Sequence, residues 1–144
     1  MLKSFKELEV WQKAHSLVLN VYRVTNLFPR NEQFGVTSQL RRAASSIPAN
    51  IAEGFGRRTT RELLQCIAIA NGSLEEARYF LLLSRDLRYL PPSEFQKLDS
   101  DATSVAQMLA ALSRSLRLRS QAAGSAKEGL RFTGHGSRGT GASS

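Results

Sequence analysis

Residues 92–119 read PSEFQKLDSDATSVAQMLAALSRSLRLR, and within them Phe95, Leu98, Ala102, Val105, Leu109, Leu112 and Leu116 recur at alternating spacings of three and four. That spacing stacks the apolar side chains on one face of a helix and predicts an amphipathic helix laid against a core. Ser93 and Gln96 read as a capping box at its start. Arg114, Arg117 and Arg119 fall in its last turns, where cations complement the negative end of the helix dipole.

Upstream, Tyr89-Leu90-Pro91-Pro92 ends a longer helical pattern. It opens with a second capping box, Thr59 with Glu62, and runs to about Leu87. Leu63, Ile67, Ala70, Leu74, Ala77 and Leu81 form its main stripe, and Ile69, Phe80, Leu83 and Leu87 populate a second face. A helix apolar on two sides is covered on two sides, by bundle neighbours or by another subunit. Gly72 is expected to permit a close helix approach.

Before it, residues Gln33 to Ala52 predict a helix with Val36, Leu40, Ala43, Ile47 and Ile51 inward. Pro48 has no N–H for the Ala44 carbonyl and its ring crowds that turn, so a kink or break is expected there. Gly54-Phe55-Gly56 is expected to end the helix through a left-handed glycine. The first helix is expected from Phe5 to Leu27, with Ser4 and Glu7 as its capping box and Val10, Ala14, Leu17, Val21, Val24 and Phe28 as its stripe. Trp11 and Tyr22 lie beside that stripe and are read as packing residues rather than base-stacking ones.

From Ser120 onward the chain turns rich in Gly and Ser, with Leu130 and Phe132 as its only large apolar residues. The expectation is an all-α, antiparallel up-down-up-down four-helix bundle over residues 1–119, kinked near Pro48, followed by a disordered tail over 120–144.

The 144 residues carry 20 Lys+Arg against 12 Asp+Glu, a formal charge of +8, which favours polyanions as partners. Cys66 is the only cysteine, so neither an internal disulfide nor a multi-thiolate zinc site is expected. The amino terminus has no apolar leader region and no stretch is long enough to span a bilayer. These features predict a soluble, cytoplasmic protein without membrane partners.

No catalytic, cofactor-binding or metal-binding residues stand out. A di-iron bundle needs Glu-x-x-His motifs, and neither His15 nor His135 lies three residues after a glutamate. Cys66 falls mid-helix among apolar neighbours, as an inert buried thiol does. The chain therefore predicts a protein without enzymatic activity.

Charge is concentrated between residues 34 and 61, where Arg41, Arg42, Arg57, Arg58 and Arg61 face a single acid, Glu53. Arginine suits phosphate because its planar fork donates two parallel hydrogen bonds, and the last three precede or enter a helix whose dipole also favours anions. Nucleic acid, RNA or DNA, is the preferred partner; ion pairs with a neighbouring subunit and plain solvation compete. Phe55, flanked by glycines, is the aromatic placed to stack on an unpaired base or to anchor the loop. Asn50, Glu53, Asn71, Ser73 and Glu76 lie close to apolar faces and are read as a buried polar network that fixes helix register, with a ligand site as the competing reading.

Ser4-Phe5, Leu8-Glu9-Val10-Trp11-Gln12-Lys13-Ala14, Phe28-Pro29, Phe34-Gly35, Arg42-Ala43-Ala44, Ser46-Ile47-Pro48, Asn50-Ile51-Ala52-Glu53-Gly54 and Gly72-Ser73-Leu74-Glu75-Glu76 together resemble the "four helix bundle protein" family. Many of its members are encoded in intervening sequences within bacterial 23S rRNA genes. The resemblance covers about residues 4 to 118 and implies a protomer that assembles with copies of itself into a homopentameric ring with no enzymatic activity. It also implies a second role, as an accessory scaffold docking on a reverse transcriptase. The functional expectation is a homo-oligomeric protein that binds RNA through its basic surface; the alternative is a protein-interaction scaffold without direct nucleic-acid contact.

Overall fold

The computed structural model describes residues 2–134, with side chains through residue 126. Four helices make the fold: α1 (Glu9–Thr25), α2 (Val36–Phe55), α3 (Thr60–Asp86) and α4 (Pro92–Gly134). Each packs on its neighbours in chain order and α4 closes against α1, with α2 and α3 the most intimate pair. Among the described residues there is no strand.

The stripes meet as their periods predict. Leu17 and Val21 from α1, Leu40, Ile47 and Ile51 from α2, Ile67, Leu74 and Leu81 from α3, and Leu98, Val105 and Leu109 from α4 are all buried in one core. Burying one such side chain stabilises by roughly 1.5–3 kcal/mol, so the shared interior is the main cohesive force. The second face of α3 behaves differently: Phe80 and Leu83 are half-buried, whereas Ile69 and Leu87 stay exposed.

The helix ends depart from expectation in several places. Ser4 caps a separate single turn of 3-10 helix, Phe5–Glu7, accepting from the Lys6 N–H at 3.2 Å. Glu7 takes the Lys3 N–H at 3.0 Å instead of reciprocating to Ser4. Leu8 is extended and packs on the core, so α1 starts only at Glu9. At its other end α1 stops at Thr25, and Leu27 and Phe28 turn back through hydrogen bonds to Val24 and Thr25.

Helix α2 begins three residues later than predicted because Arg30–Glu32 form a 3-10 turn and the Glu32 carboxylate accepts from the Val36 N–H at 3.1 Å. It then runs unbroken through a buried Pro48 to Phe55, so the proline does not interrupt it. Gly56, its C-cap, is right-handed at φ −84°, and no described glycine has positive φ. The relevant glycine is Gly54, inside α2: a Cβ there would meet Cys66 Cβ and Leu63 Cδ1, each at 2.8 Å. There α3 leaves no room for a side chain on α2, whereas Gly72 has open space around it.

Thr59 caps α3 as predicted, accepting from the Glu62 N–H at 3.1 Å. The far end closes on a left-handed residue that is not glycine, Arg88 at φ 64°. The Tyr89 N–H donates to the Ser84 carbonyl and the Arg88 N–H to the Arg85 carbonyl, both at 2.9 Å, which is the Schellman pattern. Helix α4 starts at Pro92, whose fixed φ and missing N–H suit a first helical position, and this displaces Ser93 from the cap.

Seams between helices are polar at their edges. Arg23 pairs with Glu94 across α1 and α4, and Arg78 on α3 reaches Asp99 and Thr103 on α4. Beyond Leu116 the side chains of α4 are exposed, so the bundle ends there, while the backbone stays helical to Gly134. Helix formers in Gln121-Ala122-Ala123 and Ala126 support that extension. The remainder of the tail expected over 120–144, with His135, lies outside the described residues.

Candidate nucleic-acid interface

The five arginines that cluster in sequence are separated in space. Arg41 and Arg42 lie one turn into α2, whereas Arg57, Arg58 and Arg61 flank its far end, and the helix between spans about 20 Å at 1.5 Å per residue.

Arg41 is drawn back onto α1. Its Nε donates to Thr25 Oγ1 at 2.8 Å, a terminal nitrogen donates to Asn26 Oδ1 at 3.1 Å, and the guanidinium lies 4.5 Å over the Tyr22 ring. Arg42 donates to Gln39 at 2.9 Å and to Glu76 on α3 at 3.3 Å. Both act first as clips between helices.

At the other end, Arg57 pairs with Glu53 one turn back on α2, and that hydrogen bond is the main cause of its raised pKa. Arg58 and Arg61 are exposed, and among the described residues neither makes an ion pair or a side-chain hydrogen bond. They sit at the amino-terminal end of α3, where unsatisfied N–H groups and the helix dipole add positive potential. Phe55, the last residue of α2, is half-buried beside them.

The predicted polar network also divides. Asn50 donates to the Ser46 carbonyl at 2.7 Å and to Ser46 Oγ at 2.9 Å, and Ser73 Oγ lies 2.8 Å from Ser46 Oγ. Ser46 is thus the hub joining α2 to α3, and the sequence reading missed it although it stands one turn before Asn50. Glu53 and Glu76 are taken by Arg57 and Arg42, and Asn71 lies apart in a groove against α4.

His15 stacks on Trp11 with ring centroids 4.9 Å apart, and Trp11 meets Phe5 edge-on at 5.1 Å. Cys66 is buried beneath Gly54. Among the described residues no group of three or more His, Cys, Asp or Glu is placed to hold a metal ion, and no helix is long and apolar enough to cross a membrane.

These elements define a small four-helix bundle whose polar side chains mostly clip helices together, leaving at one end arginines that are unpaired among the described residues. Within that class the chain belongs to the 23S rRNA-intervening sequence protein family, which matches residues 6–111. A solved structure of a protein with unknown function, from the S23 ribosomal protein family of Bacteroides thetaiotaomicron, is similar at TM-score 0.67 and 21% identity. The match covers 72% of this chain and 96% of that one, and it supports the same fold. No curated protein matches the sequence.

Proposed function

We propose that this protein is a non-enzymatic, cytoplasmic, homo-oligomeric bundle that binds RNA through phosphate contacts. The observation that carries the reading is the pair Arg58 and Arg61, exposed and without acidic partners among the described residues, at the positive end of α3. Repetition around a ring multiplies each weak contact by the subunit number. The family resemblance supports a five-fold ring.

Self-association is supported by apolar side chains that the protomer does not cover. Phe34 is 90% exposed and Leu27 86%. On α3, Ile69 and Tyr79 are exposed on the side of the helix that carries Gly72, where open space leaves room for a neighbouring backbone. A glycine in a helix interior costs about 1 kcal/mol relative to alanine, and within the protomer nothing repays it. The same exposed residues favour a second reading, a scaffold that docks on a protein such as a reverse transcriptase.

Two measurements test the proposal. Light scattering at micromolar concentration should give a multiple of the protomer mass, and a monomer would refute the ring. Titration of a labelled RNA and of duplex DNA at low salt should show binding, and its absence for both would leave the scaffold reading.

A further inference from the structure

The arginines near the end of the bundle on α4 lack an explanation within their own helix. From residue 102 to residue 127 the chain contains no Asp or Glu, yet it carries Arg114, Arg117, Arg119 and Lys127. A helix dipole is felt only within the last turn, and α4 continues to Gly134, roughly four turns past Arg119. Arg114, Arg117 and Arg119 are exposed and form no ion pair among the described residues.

The seam between α3 and α4 decides what they face. Arg78 reaches Asp99 at 3.3 Å and Thr103 at 3.1 Å, which fixes an antiparallel register. Further along, Asn71 shares an open groove of about 430 Å³ with Ser113, Arg114, Arg117, Leu118 and Gln121. Arg61 stands about 15 Å beyond Asn71 along α3, outside the residues that line the groove. Arg114 and Arg117, which form no ion pair among the described residues, therefore line a groove at the end of the bundle where α3 begins.

We propose that this groove is the RNA-binding surface, taking a single-stranded RNA segment with its phosphates on Arg114 and Arg117 and one unstacked base in the groove. The Asn71 and Gln121 amides and the Ser113 hydroxyl supply both donors and acceptors for a base edge or a 2′-hydroxyl. Leu118, 60% exposed, adds an apolar side to the groove, and guanidinium planes stack on bases. A duplex conceals its base edges, so this lining selects unpaired RNA over duplex. The assignment rests on the nucleic-acid reading above and specifies where it acts.

The test is fluorescence anisotropy with an unstructured RNA of about 15 nucleotides, free or annealed to its complement, at about 50 and 200 mM salt. Arg114→Ala/Arg117→Ala should weaken single-strand binding by about tenfold or more and make the salt slope shallower by roughly 1.4, two contacts at about 0.7 each. Arg30→Ala/Lys97→Ala removes equal charge from exposed positions at the opposite end and should stay within about twofold of wild type. Asn71→Ala/Gln121→Ala should keep the salt slope but lose most of the preference for the unpaired strand. Circular dichroism melts confirm that each variant is folded. If wild type binds and Arg114→Ala/Arg117→Ala binds equally well, or both arginine-lowering variants weaken alike, the groove is overturned and RNA binding stands. Equal affinity of wild type for single strand and duplex also overturns it. No wild-type binding at low salt overturns both proposals.

Discussion

The guanidinium of Arg41 lies over the ring of Tyr22, 4.5 Å from its centroid. The same group donates to Thr25 and Asn26, so one α2 side chain ties down the end of α1. Arg41→Ala should destabilise the fold by about 1–2 kcal/mol, the sum of a partly buried hydrogen bond and a cation–π contact. Urea unfolding measures it. Arg41→Lys should recover little, since an ammonium cannot reproduce the fork, and RNA affinity should change by less than about twofold in either variant.

Two glycines should respond to alanine with opposite sign. In Gly54→Ala the new methyl meets Cys66 Cβ, which cannot swing aside, and Leu63 Cδ1, which can. Overpacking of about 1–3 kcal/mol exceeds the roughly 1 kcal/mol gained in helix propensity, so the melting temperature should fall. Gly72→Ala meets nothing and should stabilise the protomer by about 0.5–1 kcal/mol. If Gly72 lies under a neighbouring subunit, the same substitution lowers the oligomer mass seen by light scattering.

Arg88 holds a left-handed backbone at the end of α3, a conformation that costs a non-glycine residue roughly 1 kcal/mol or more. Arg88→Gly should therefore raise stability by about 0.5–1 kcal/mol in urea unfolding, with the Schellman hydrogen bonds unchanged.

The Arg23 hydrogen bond holds the Glu94 carboxyl below its ordinary value of 4.5. A depressed folded pKa contributes stability above the unfolded pKa and loses it as pH falls through the folded one. Arg23→Ala should thus lower the melting temperature at neutral pH and flatten its decline below about pH 5. The pair is exposed, so the effect should be small and should shrink further in high salt.

The interior was legible because periodicity reports burial directly: the stripes on Val10 to Phe28 and on Leu98 to Leu109 meet in the core as their spacing requires. Helix ends were less legible, since a capping signature states only what is possible locally. Thr59 realises it, whereas Leu8 and Pro92 pre-empt Ser4 and Ser93 by starting their helices elsewhere. The arginine cluster misled for a different reason. Neighbours along α2 are carried apart by the length of the helix, and Arg114 and Arg117 are brought beside Asn71 only by the antiparallel register of α3 and α4. Ser46 went unnoticed because a serine among apolar residues carries no periodic signal until Ser73 is seen opposite it.

Exposed arginines at one end of the bundle bind RNA phosphates in the function proposed above. That binding is tested most directly by the slope of log affinity against log salt for a single-stranded RNA, comparing wild type with Arg58→Ala/Arg61→Ala/Arg114→Ala/Arg117→Ala. Wild type should show a slope near −3, from about four contacts at roughly 0.7 each, and the variant a slope shallower than about −1. No wild-type binding at about 50 mM salt, or a variant with the wild-type slope, would contradict it.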